Sequence, residues 1–88
     1  MPYIAEPQRW ELDDKIDELL DVVRNARQPE GAFNYVITRI AIDFFKRDRS
    51  YRTGNAVMGV LDCAAKEFYR RHLAPYEDAK RLENGDVD

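Results

Sequence analysis

Among 88 residues there is one cysteine and one histidine. Cys63 therefore has no internal disulfide partner, which fits a reducing compartment. The Cys/His ligand sets of ordinary zinc sites are excluded by count, and no metal or cofactor site is expected. Glycine is scarce as well: four scattered residues leave no glycine-rich loop to cradle a phosphate. No apolar run approaches the roughly 20 residues that cross a bilayer. The opening residues lack the basic-then-apolar pattern of a secretory signal. A cytoplasmic protein without a membrane partner is expected. Nor does charge of one sign dominate. Fourteen basic against seventeen acidic residues give a net charge of -3, unlike a chain that coats nucleic acid or anionic lipid.

What is present favours folding. The sequence is 44% apolar and 35% charged and holds ten aromatic residues, whereas a disordered chain lacks aliphatics and aromatics. At this length the chain hides only about two thirds of its unfolded surface, so residues 1–88 are read as one helical domain with one modest core.

Leu12, Ile16, Leu19, Leu20 and Val23 fall on one helical stripe, with Asp14, Asp17, Asp21 and Arg24 opposite, and predict a first helix over about 8–27. Gln28-Pro29-Glu30-Gly31 then reads as a turn. Residues 35–42 are rich in β-branched side chains and would pass for a strand on propensity. The period decides otherwise: Phe33, Val36, Ile37, Ile40 and Phe44 share one side of a 3.6-residue wheel, while alternation fails at Val36-Ile37 and Phe44-Phe45. A second helix is expected over 32–47, its wide apolar arc extended by Ala41, Ile42 and Phe45. Residues 46–55 read as a loop, with Thr53 or Asn55 as the next N-cap. Val57, Leu61, Ala64, Phe68 and His72 mark a third helix over 55–73. Pro75 is expected to break or kink that run and to open a short fourth helix over 75–83, stopped by Asn84-Gly85. The architecture expected is all-α: a small three-helix bundle with a short C-terminal fourth helix after Pro75.

The charges segregate. Residues 1–30 carry a net -4, 31–73 a net +4 and 74–88 a net -3. Arg39, Lys46, Arg47, Arg49, Arg52, Arg70 and Arg71 would make a basic face for phosphate or an acidic protein. Internal complementarity is the favoured explanation, helped by acid-first i, i+4 pairs at Asp43–Arg47, Asp62–Lys66, Glu67–Arg71 and Glu77–Arg81. Asp14, Asp17, Glu18 and Asp21 have a spacing that could present carboxylates to Mg²⁺, but helices 2 and 3 offer few carboxylates to converge on them, so a solvated face is favoured. His72 is expected to meet the favourable end of a helix dipole. Cys63 is read as a structural thiol, packed or half-exposed, and Trp10 as a staple under Pro2-Tyr3-Ile4. The residues richest in binding character are Tyr69, Arg70, Arg71, Tyr76, Glu77 and Asp78. With Arg39 and Phe45 they form the candidate binding set; no catalytic residue is assigned.

Several segments carry a resemblance. Gly31-Ala32-Phe33-Asn34-Tyr35-Val36-Ile37-Thr38-Arg39, Asn55-Ala56-Val57-Met58-Gly59-Val60-Leu61 and Glu67-Phe68-Tyr69-Arg70-Arg71-His72-Leu73-Ala74-Pro75-Tyr76-Glu77-Asp78 are similar to a family of short, uncharacterised proteins found in phages and prokaryotes. Met1-Pro2-Tyr3-Ile4 and Glu83-Asn84-Gly85-Asp86-Val87 belong to the same pattern, most specific from 69 to 87. The loop 46–52 departs from it by being richer in arginine. The resemblance brings no activity to any residue; it implies a phage-type or mobile-element cytoplasmic setting.

The first functional expectation is a non-enzymatic protein–protein interaction module, self-associating as a homo-oligomer or binding another protein. The second is a nucleic-acid-associated regulator using the basic middle, and the third a Mg²⁺-dependent phosphohydrolase.

Overall fold

The β-branched run at 35–42 is helical, as its period predicts against its propensity. In the computed structural model, which describes residues 3–88, the order is α1 (Glu6–Arg24), α2 (Pro29–Arg47), α3 (Tyr51–Phe68), a π-helical segment (Tyr69–Leu73) and α4 (Ala74–Asn84). No strand occurs among the described residues, so the all-α expectation holds. These residues divide into two compact units, Tyr3–Val57 and Met58–Asp88, with α3 beginning in one and ending in the other.

In the first unit, α1 starts with Pro7 in its first turn and without a side-chain cap. The Arg9 Nε–H donates to the Ile4 carbonyl at 2.6 Å and ties the preceding residues to the helix. Trp10 does not act as the expected staple: it is 65% exposed, and Pro2, part of that expectation, lies outside the described residues. The helix closes three residues earlier than expected. Asn25 places both its backbone N–H (3.2 Å) and its side-chain amide (2.8 Å) on the Asp21 carbonyl. Pro29, at the start of α2, has no N–H to carry a helix through the turn.

The join between α2 and α3 is shorter than the loop expected over 46–55. Ser50 is the N-cap, in place of Thr53 or Asn55: its Oγ accepts the Thr53 backbone N–H at 3.2 Å, the bond that satisfies an orphan donor of the first turn. Asp48 Oδ2 accepts the hydroxyls of Ser50 (3.1 Å) and Thr53 (2.8 Å). Three polar side chains thus start α3 at Tyr51.

No described residue is buried. The half-buried residues of α1, α2 and the turn between them gather about that turn, at Val23, Ala26, Ala32 and Val36, with Ala41 farther along. Small side chains let the helices meet there. Toward their far ends the apolar stripes stay open to solvent, so the shared interior implied by those stripes is not closed within either unit.

In the second unit, Pro75 neither breaks the helix nor leaves α4 separate. Leu73 and Ala74 keep helical dihedrals (φ -78°, ψ -43°; φ -60°, ψ -46°). The Ala74 N–H bonds to the Tyr69 carbonyl, five residues back. A proline ring collides with the carbonyl four residues earlier and offers no N–H; widening the preceding turn relieves the collision without ending the helix. The stop at Gly85 is as expected, with φ 92° and its N–H on the Arg81 carbonyl at 2.9 Å, a left-handed position that suits glycine.

Candidate functional site

The candidate binding residues fall into two sets. Tyr69, Arg70, Arg71, Tyr76, Glu77 and Asp78 lie along the π-helical segment and the start of α4, in Met58–Asp88. Arg39 and Phe45 lie on α2, in Tyr3–Val57.

In the first set most side chains are engaged with neighbours along the same helical path. The Tyr69 phenol interacts with the Glu77 carboxylate. Hydrogen-bonding attraction to Glu77, then Glu77's charge, desolvation and the charge of Asp78 hold the phenol above its ordinary pKa. Glu77 is thereby engaged elsewhere than with Arg81, the partner its spacing predicts. Arg81 instead reaches Asp78 at 3.9 Å and Asp86 at 3.7 Å. Arg70 is ion-paired with Glu67, and the Lys80 ammonium lies 5.8 Å from the centre of the Tyr76 ring. His72 stacks on Phe68 with ring centroids 5.8 Å apart. Because the helix runs on past it, His72 occupies no helix end, and the dipole interaction expected for it is lost.

On α2, Arg39 is held by its neighbour one turn back: its guanidinium donates to the Tyr35 hydroxyl at 2.9 Å and lies 5.6 Å from that ring's centre. Phe45 lines a shallow hollow of about 340 Å³ with Arg49, Ser50, Tyr51, Gly54 and Asn55. A Cβ at position 54 would sit 3.7 Å from the Phe45 ring, so the first turn of α3 rests close against the end of α2. Sequence reasoning missed this corner, having assigned residues 46–55 to a loop; the signal was the Asp48-x-Ser50-x-x-Thr53 pattern of hydroxyl and carboxylate.

Much of the basic middle is locally occupied. Arg47 pairs with Asp43 at 3.3 Å and Lys66 with Asp62 at 2.8 Å, as their spacing predicts. The Asp62 hydrogen bond and charge raise the Lys66 pKa. Among the described residues no three Asp, Glu, His or Cys side chains are grouped so as to hold a metal ion, and Asp21 of the acidic α1 face is bound to Arg24 at 2.8 Å. Cys63 is exposed. No helix among the described residues is long and apolar enough to cross a membrane.

The arrangement therefore offers amphipathic helices with aromatic and aliphatic side chains on open faces, and polar groups largely spent on neighbours along their own helices. No curated protein and no solved structure matches the chain. A family model matches residues 1–87, and the chain belongs to that family, described as "Domain of unknown function (DUF6899)".

Proposed function

We propose that the protein is a non-enzymatic protein–protein interaction module that self-associates. The observation that carries this reading is the burial pattern. Helices normally hide their apolar stripes, yet here no described residue is buried while large apolar side chains stay open on all four α-helices. Exposed apolar surface on that scale marks an interaction site, and a small chain without a closed core gains stability by mass action when it associates. The reading takes residues 1–88 as one helical domain. It sets the chain in the cytoplasm of a prokaryotic or phage-infected cell, the setting that its resemblance implies.

The test is the mass of the full chain in solution. Light scattering coupled to size exclusion over a hundredfold range of concentration is expected to give a mass rising above that of one chain, with thermal unfolding moving to higher temperature as concentration increases. A single-chain mass throughout, with a concentration-independent melt, would overturn self-association.

A further inference from the structure

We infer that the Tyr3–Val57 unit pairs with a second copy of itself, α1 of one copy lying along α2 of the other. The inference rests on the interaction reading above and assigns its surface.

Leu12, Ile16, Leu19 and Val23 follow one another at intervals of four, three and four residues, and Phe33, Ile37, Ile40 and Phe44 repeat the same intervals. Such spacing makes the a/d seam by which one helix seats its side chains between those of a facing helix. Inside the unit the two seams have little to face. Half-burial of their residues is confined to the turn end, at Val23. Leu12 and Ile16 remain 49% and 46% exposed, and Ile40 and Phe44 55% and 56%. With Leu19, Phe33 and Ile37, these side chains present on the order of 600 Å², most of the roughly 800 Å² that one partner brings to a standard interface.

Length and charge choose the occupant. Both helices are 19 residues long, so each seam meets one of equal reach. Helix α1 carries seven acids against three bases, and α2 three bases against two acids. Placing α1 on α1 would bring acid against acid, whereas α1 on α2 brings acid to the more basic helix. A two-fold axis then makes the same contact twice, because whatever α1 does to the other copy's α2 is returned. Two open hairpins close in this way into four helices, the arrangement in which antiparallel helices share a seam-lined core.

The experiment uses the full chain and two variants, I16K and I40E, measured by sedimentation velocity over a wide concentration range, with far-UV circular dichroism reporting helix content. Wild type is expected to form dimers. Each variant alone is expected to dissociate at least tenfold more readily, and an equimolar mixture to recover most of the lost association, since the introduced ammonium on α1 then faces the introduced carboxylate on α2. Variants that associate as wild type does overturn this surface while leaving self-association standing. A mixture no stronger than its components overturns the α1-on-α2 pairing. A wild type that stays single at every concentration overturns both readings.

Discussion

The Tyr69 phenol, on the π-helical segment, and the Glu77 carboxylate, eight residues on at the start of α4, interact so as to raise the pKa of the phenol. A neighbouring carboxylate favours the neutral phenol over the phenolate, so Tyr69 holds its proton to a higher pH than its ordinary value near 10. A folded-state pKa above the unfolded one contributes stability that is whole below pH ~10 and is lost as pH rises through the raised value. Ultraviolet titration should therefore show Tyr69 ionising above its ordinary value, and Glu77→Gln should bring it back down. Titration of Tyr69 unchanged by that substitution would dismiss the interaction.

Replacing the N-cap of α3 has a calculable cost. Ser50→Ala removes the acceptor of the Thr53 N–H and is expected to lower stability by about 1 kcal/mol, a drop of roughly 4–8 °C in Tm for a domain of this size. Asn55→Ala, at the position that the sequence also offered as a cap, should not lower Tm. Thermal melts of the two variants side by side distinguish the caps.

The last four residues should be dispensable for stability. Leu82 is 83% exposed and Val87 98%, and the tie from Asp86 to Arg81 is a surface pair at 3.7 Å of the kind worth little. Removing residues 85–88 is expected to change unfolding free energy by less than about 1 kcal/mol, measured by urea denaturation. A larger loss would mean that the tail packs against something in solution.

The local occupation of Arg39, Arg47, Lys66 and Arg70 bears on the nucleic-acid alternative. A labelled oligonucleotide titrated with the protein at 50 mM and 200 mM salt is expected to show no salt-dependent shift. Binding that falls steeply between those concentrations would mark phosphate contacts and favour the regulator instead.

How far the sequence was legible depended on the range of the interactions involved. Periodicity is local and strong, so α2 could be read through its β-branched residues, and Asn84-Gly85 could be read as a stop. Boundaries fixed by a single side chain were harder. Nothing in the spacing of 46–55 weighs a serine hydroxyl against a threonine or an asparagine, and the choice of Ser50 follows from where Asp48 falls. Pro75 misled for a different reason. The rule that proline ends a helix assumes the preceding turn stays α-helical, and here that turn widened. Glu77 could be placed on its helix from sequence, but its engagement with Tyr69, with Arg81 turned to Asp78 and Asp86, could not. Seams that face no partner in one chain leave no local trace at all, since apolar spacing looks the same whether the neighbour belongs to the same copy or another.

The widened turn before Pro75 also sets the orientation of everything after it. A π turn works as one surplus residue threaded into an α-helix, so it offsets the angular phase of α4 against the end of α3. Winding residues 69–73 as ordinary α-helix, with the sequence unchanged, would swing each α4 side chain by about 100° around the axis, carrying Tyr76 and Leu82 to a different compass bearing while the helix itself survived. The proline thus acts as an indexing pin: it decides which way the C-terminal helix looks, whereas deleting one residue from the widened turn would only take up the surplus and leave that bearing as it is.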